Sequence, residues 1–205
     1  MRSSKAKIVV FLFLAWSLSW RSADAGVPTE EIKATVEKAL AVLKDPHLKA
    51  PANLKERRNH LRQILFARFD FTEMAKRALG SNWRRRTPQE QEEFVRLFTE
   101  LLERAYAEII ESYTDEKIIY INERVDGTYA DVGSRIQTSR GEEYTINYKA
   151  HLVRNEWKIY DIVAENISLV NNYRSQFNRV IANSSYAELL RRLREKAGPA
   201  ETAKR

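Results

Sequence analysis

The 205-residue sequence contains no cysteine, and this absence removes several classes of chemistry at once. Without cysteine there is no disulfide framework, no thiolate zinc site, no iron-sulfur cluster and no thiol nucleophile. Glycine and proline are also scarce, with 6 and 5 residues, whereas hydrophobic residues make up 43% of the chain and charged residues 31%. This composition excludes collagen-like, low-complexity and wholly disordered proteins. We therefore expect a globular fold with a sizeable core.

Common catalytic and phosphate-binding motifs are missing as well. The sequence has no HExxH, GxSxG, P-loop or GxGxxG pattern. Its three histidines, His47, His60 and His151, are not spaced as metal ligands are. We therefore predict no metal, no cofactor and no enzymatic activity. One alternative stays open, a cavity enzyme in which His151 forms an acid/base pair with Asp161 or Glu165.

The N-terminal segment has the composition of a cleavable export signal. Three basic residues, Arg2, Lys5 and Lys7, precede the apolar run 8–20, and small residues follow at the two positions that a signal peptidase reads. The run is shorter than the roughly 20 residues that span a bilayer, so we predict cleavage after Ala25. Cleavage removes four basic residues and one acidic residue, which lowers the net charge from +7 to +4. Because cysteine-free exported proteins are typical of the bacterial periplasm, we expect a periplasmic protein.

The remaining sequence reads as helices, then strands, then helices, a pattern that predicts an α+β fold. Residues 26–197 are expected to form one domain and residues 198–205 a flexible tail. Helices are predicted to begin near residues 29, 53, 69, 87, 168 and 185. The most definite start is at Thr87-Pro88-Gln89-Glu90, which combines an N-cap, a proline at the first helical position and a capping-box glutamate. The apolar stripe of this helix continues to about Tyr113 and is wide enough to contact two apolar bodies.

Between residues 117 and 164 the apolar spacing changes to two, which predicts four antiparallel strands in a meander. Asp126-Gly127 is typical of a type I′ hairpin turn, in which both central residues have positive φ. The second strand presents small side chains such as Ala130 and Ser134 to the inner face, and these are predicted to leave room beside the sheet. We therefore expect helices flanking a curved four-stranded sheet, NTF2-like in broad outline, with an apolar cavity between sheet and helices.

Basic residues form three clusters that invite a phosphate-binding interpretation. The clusters are Arg57-Arg58, Arg84-Arg85-Arg86 and Arg191-Arg192-Arg194. Nucleic acid and lipid headgroups both carry phosphate, but a solvated face balanced by nearby glutamates is the simpler interpretation of each cluster. The export signal also argues against nucleic acid. We keep one hypothesis, that Arg84, Arg85 and Arg86 dock an acidic surface of a partner protein.

Motifs spread over nearly the whole mature chain resemble those of the MlaC, or toluene-tolerance, auxiliary family of bacterial ABC lipid transporters. The first half contributes Phe69-Asp70-Phe71, Ala78-Leu79-Gly80, Trp83, Thr87-Pro88, Phe94, Phe98, Leu101 and Tyr106. The second half contributes Ile146-Asn147-Tyr148, Trp157-Lys158-Ile159-Tyr160-Asp161 and the run from Ser168-Leu169-Val170 to Tyr173-Arg174-Ser175-Gln176-Phe177. These match the family pattern YDV…GVSLV…YRSQF, except that Asn166-Ile167 replaces the Gly-Val before the serine.

The resemblance implies a periplasmic shuttle that carries phospholipid between an outer-membrane lipoprotein complex and an inner-membrane MCE-domain ABC transporter. Such a shuttle maintains the lipid asymmetry of the outer membrane and is expected to be a monomer. A sister subgroup is associated with hopanoids, so a carrier of hopanoid or another apolar small molecule is the alternative. The residues expected to line the acyl chains are Phe94, Phe98, Leu101, Val132, Ile146, Tyr148, Val170 and Phe177.

Overall fold

The computed structural model describes residues 27–113 and 116–197. The predicted export signal, residues 1–25, and the predicted tail, residues 198–205, lie outside the described residues. No helix in the described ranges is long and apolar enough to cross a membrane.

The described residues form an α+β fold, as predicted. Its elements are α1 (Pro28–Lys44), α2 (Pro46–Lys49), α3 (Leu54–Arg68), α4 (Phe71–Leu79), α5 (Pro88–Glu111), β1 (Lys117–Asp126), β2 (Tyr129–Gln137), β3 (Glu143–Val153), β4 (Glu156–Ala164), β5 (Ile167–Ser168), α6 (Leu169–Asn183) and α7 (Tyr186–Ala197). All six predicted helix starts lie close to observed ones, whereas the short helix α2 was not predicted. At the start of α5, the Thr87 side chain accepts a hydrogen bond from the Glu90 amide and the Glu90 carboxylate accepts one from the Thr87 amide. The predicted capping box is therefore confirmed.

The strands form one antiparallel sheet in the order β1-β2-β3-β4-β5, so the described chain has five strands where four were predicted. The extra strand exists because Glu165 and Asn166 both adopt positive φ, 46° and 64°. This two-residue turn returns the chain beside β4, where Ile167 pairs with Ala164. A positive φ is unusual for residues other than glycine, and asparagine tolerates it better than most. Asn166 thus adopts a left-handed conformation at the position where the family pattern has glycine.

The predicted type I′ turn at Asp126-Gly127 is wrong in detail. Asp126 pairs with Tyr129, so the central residues of the turn are Gly127 and Thr128. Only Gly127 has a positive φ, 58°, among these two. A type I′ turn requires positive φ at both central positions. The hairpin itself lies where the sequence placed it.

One face of the sheet is covered by α1. Ile32 of this helix forms a buried cluster with Val132, Tyr148 and Ile159 from the three central strands. The side chains of Val132 and Ser134 on β2 are 0% and 1% exposed, so this part of the strand is buried. The predicted cavity between sheet and helices stays a prediction at this position, where α1 docks on the sheet.

A second core lies among α4, α5, α6 and α7. The rings of Phe94 and Phe98 stack on each other with centroids 5.9 Å apart, and each meets the ring of Phe177 edge-on at 5.6 Å. Edge-to-face and offset contacts of this kind are the favourable geometries for aromatic pairs. Tyr160 of β4 packs against this cluster. The helical core is thereby attached to the sheet.

The Arg68 side chain joins α1, α3 and β4. Its guanidinium forms an ion pair with Glu31 and donates a hydrogen bond to the Trp157 carbonyl at 2.5 Å. The Glu31 carboxylate also accepts a hydrogen bond from the Trp157 amide at 3.1 Å. These half-buried contacts fix the C-terminal end of α3 to the sheet.

Candidate functional site: a groove between α3 and α5

A long groove runs between α3 and α5. Its first section has a volume of about 560 Å³ and lies between the middle of α3 and the C-terminal half of α5. Its second section, of about 1070 Å³, continues past Phe71 and Trp83 to the start of α5. Arg62 and Glu100 border both sections, so the two sections adjoin at these residues. The apolar side chains along it include Leu61, Leu65, Phe66, Phe71, Val95 and Ala107.

Helical periodicity explains how each helix contributes to the groove. On α3, Leu61 and Leu65 are four residues apart and so lie on one face, and Phe66 follows Leu65 at the edge of that face. On α5, Phe94, Leu97 and Phe98 turn into the helical core. The face of α5 that carries Thr99, Glu103 and Ala107 lines the groove instead. α5 therefore separates a dry core from an open groove.

The two walls of the groove carry opposite charge. α3 contains five basic residues and one acidic residue, and α5 contains seven glutamates and two arginines. Arg58 donates two hydrogen bonds to the Glu111 carboxylate, at 2.6 and 3.2 Å. Arg62 forms an ion pair with Glu103 at 2.8 Å. Because of its hydrogen bonds with Arg58, the pKa of Glu111 lies below its ordinary value, and the same contact raises the pKa of Arg58.

The predicted lipid-lining residues fall into two separate clusters. Phe94, Phe98, Leu101, Val170 and Phe177 belong to the helical core. Val132 and Tyr148 belong to the cluster under α1, and Ile146 packs against it. Within the described residues, none of the eight lines the α3–α5 groove. Their contact with lipid stays a prediction.

The alternative acid/base pair of His151 and Asp161 is not formed. The His151 ring lies 3.0 Å from the carboxylate of Asp70, which also caps α4 by accepting the Glu73 amide at 2.9 Å. Asp161 is 5% exposed and accepts hydrogen bonds from the Ser168 hydroxyl at 2.6 Å and the Val170 amide at 3.0 Å. These bonds account for both carboxylate oxygens of Asp161, which holds the start of α6. Glu165, the other suggested partner, accepts hydrogen bonds from Thr145.

The arginines of the predicted docking cluster differ from one another. Arg84 and Arg85 are exposed at the end of a short 3₁₀ helix. Arg86 lies over the Tyr186 ring, 4.3 Å from its centroid, and forms an ion pair with Glu90. Two of the three side chains are therefore available to a partner, and the third stabilises the contact between α5 and α7.

No group of three or more His, Asp or Glu residues is placed to hold a metal ion in the part of the chain that the structure describes. The groove residues Leu61, Leu65, Phe66, Val95 and Ala107 were not predicted as site residues. The sequence did contain a feature that indicates the α3 wall of the groove, because apolar residues and arginines share one face of this helix. The sequence does not show which helix would lie opposite that face.

Fold and groove together define a class of protein, an α+β domain with a long amphiphilic groove along its surface. The family model described as MlaC protein matches residues 33–195, and the chain therefore belongs to the MlaC family. This confirms the family that the sequence motifs predicted.

Individual relatives agree with this assignment. A phospholipid-binding protein from Ralstonia solanacearum, solved in complex with a phospholipid, is 30% identical with a TM-score of 0.75, over 85% of this chain and 97% of that one. The intermembrane phospholipid transport system binding protein MlaC of Haemophilus influenzae is 23% identical over 155 residues, 71% of this chain and 72% of its own. The toluene tolerance protein ttg2D of Pseudomonas putida is 23% identical over 155 residues, 75% of this chain and 72% of its own.

Proposed function

We propose that this protein is a periplasmic phospholipid-binding shuttle that holds acyl chains in the α3–α5 groove. The observation that carries the proposal is that two adjoining groove sections are lined by both apolar and charged side chains, since a phospholipid also combines apolar chains with a charged end. Small-molecule pockets typically measure roughly 300–1,000 Å³. The second section alone, at about 1070 Å³, exceeds that range, and the groove extends further along α5.

The energetics of lipid transfer favour such a groove. Each buried methylene contributes roughly 0.8 kcal/mol, so two long chains leaving a bilayer unaided lose on the order of 20 kcal/mol. A carrier offsets this loss by offering apolar surface to the chains. No bond in the lipid needs to break, and we propose that the protein is not an enzyme.

The wider cellular role is part of the same proposal. The protein would receive phospholipid from one membrane complex and deliver it to another, between an outer-membrane lipoprotein complex and an inner-membrane MCE-domain ABC transporter, and thereby maintain outer-membrane asymmetry. Exposed Arg84 and Arg85 are suited to an acidic surface on either complex. Reversal of both charges to glutamate is expected to slow transfer to the partner at low salt without changing lipid binding. Equal transfer rates would contradict this docking role.

Lipid uptake from vesicles tests the groove. Ala107 lines the first section, whereas Ala105, on the same helix, is exposed. Ala107→Trp is expected to reduce uptake of a fluorescent phospholipid by at least about tenfold, because an indole fills space that an acyl chain needs. Ala105→Trp is the matched control and should take up lipid normally. Equal uptake by both variants would contradict the proposal, and uptake of a hopanoid alone would favour the alternative cargo.

A further inference from the structure

We propose that ion pairs between α3 and α5 form a latch that closes the groove, and that lipid enters when this latch opens. The inference rests on the proposed function only for the identity of the ligand. The latch consists of Arg58 with Glu111 and Arg62 with Glu103. All four residues line the first section of the groove.

The packing of the two helices points to this device. α3 packs on α1 and α2, whereas α5 packs on α4 and α7. The contacts that join α3 to α5 across the groove include the two ion pairs and a long hydrogen bond of 3.4 Å from Arg57 to the Glu111 carbonyl. Because each helix packs mainly on other elements, the two can separate at the groove, and Leu61, which is 5% exposed in the closed form, then becomes accessible to an acyl chain.

The positions of the charged groups place the latch at the mouth. The side chains of Arg58 and Arg62 are 59% and 57% exposed, while Glu111 and Glu103 are only 17% and 33% exposed. The arginines therefore reach from the surface across the opening to carboxylates on the opposite wall. Exposed ion pairs of this kind are individually weak and are screened by salt. A latch made of them opens readily and depends on ionic strength.

The other end of α3 supplies a fixed point. Arg68 ties this end to α1 and β4 through Glu31 and Trp157. The Arg58 and Arg62 pairs lie toward the other end of the helix. Loss of these pairs therefore lets the part of α3 around Arg58 and Arg62 move away from α5, while its C-terminal end stays attached through Arg68.

The absence of native cysteine allows a direct test in the full chain. Spin labels at Asn59→Cys and Ala107→Cys report the distance across the groove, since both residues line it. Arg58→Gln with Arg62→Gln is expected to lengthen and broaden this distance at low salt, as high salt does in the wild type. The initial rate of lipid uptake, measured without labels, should rise roughly 2- to 30-fold. The control Arg191→Gln with Glu195→Gln removes an exposed ion pair on α7 and should change neither quantity.

A charge swap separates the latch from a simple loss of arginine. Arg62→Glu alone places like charges together and should open the groove, and adding Glu103→Arg should restore the closed distance. The swap uses this pair because Glu111→Arg would add a positive charge beside Arg57. An unchanged distance in the neutralised variant, or a swapped variant that stays open, would overturn the latch. The expected distance changes without lipid uptake by any variant would support the latch and overturn the proposed ligand.

Discussion

The two faces of α5 show how one helix can serve two purposes. On one face, Phe94 and Phe98 are fully buried and packed against the rings of Phe177 and Tyr173. On the other face, Ala107 and its neighbours border a groove that ion pairs cross. The largest aromatic residues of this helix therefore stabilise the fold, whereas its smaller and charged residues form the candidate binding surface.

The largest expected effect comes from truncating one phenylalanine on the core face of α5 and another on the opposite wall of the groove, in α3. Phe98→Ala removes a ring that is 0% exposed and should lower the free energy of unfolding by about 3–5 kcal/mol. Phe66→Ala removes a groove ring that is 38% exposed and should lower it by less than about 1.5 kcal/mol while weakening lipid binding. Urea denaturation measures both. Equal losses of stability would contradict the distinction between core and groove.

Substitution of Asp161, at the junction between the sheet and the helical core, should lower the free energy of unfolding almost as much. Asp161→Ala leaves the Ser168 hydroxyl and the Val170 amide without their acceptor, and should lower the free energy of unfolding by about 2–4 kcal/mol. Asp131→Ala, which removes a carboxylate from an exposed ion pair with Lys149, should lower it by less than about 1 kcal/mol. Similar values for the two variants would mean that Asp161 does not hold α6.

A smaller effect of opposite sign is expected at the turn before β5. Asn166 has a φ of 64°, a conformation that glycine adopts without strain. Asn166→Gly should therefore raise the free energy of unfolding by roughly 0.5–1 kcal/mol. The matched control Asn172→Gly, in α6, should lower it by about the same amount because helical glycine is unfavourable. A loss of stability at both positions would show that Asn166 is not strained.

The smallest expected change in the free energy of unfolding comes from Glu111, on the groove face of α5. The pKa of Glu111 is lowered by Arg58, so this pair stabilises the fold above the ordinary glutamate pKa of about 4.3 and loses its contribution as pH falls through the lowered value. Glu111→Gln should therefore lower the free energy of unfolding by less than about 1 kcal/mol at neutral pH. This difference should shrink in acid. A difference that grows in acid would contradict the assigned direction.

Much of the fold could be predicted from local sequence patterns. The capping box at Thr87, the alternation in β3 and the helix starts each depend on residues close together in the chain, and these predictions agree with the structure. The docking of Ile32 on the sheet could not be predicted, because it depends on contacts between residues about 100 positions apart. The extra strand β5 was missed because Glu165-Asn166 contains no glycine to mark a turn.

The candidate site was harder to predict for a related reason. Aromatic residues such as Phe94 and Phe177 suggest an apolar lining, but the sequence does not show that their rings fill each other's space. The ion pair of Arg58 with Glu111 joins residues 53 positions apart, so no local pattern indicates it. Charge on α3 was instead interpreted as a solvated face. Opposite charge on two distant helices becomes informative only when the fold brings them together.

Photolabelling with a phospholipid that carries a photoreactive group on an acyl chain tests the central claim most directly. After uptake and irradiation, peptide mass spectrometry identifies the labelled residues. The α3–α5 groove predicts labels on Leu65, Phe66 and Ala107. Labels confined to Val132, Ile146 and Tyr148, on the face of the sheet covered by α1, would contradict it.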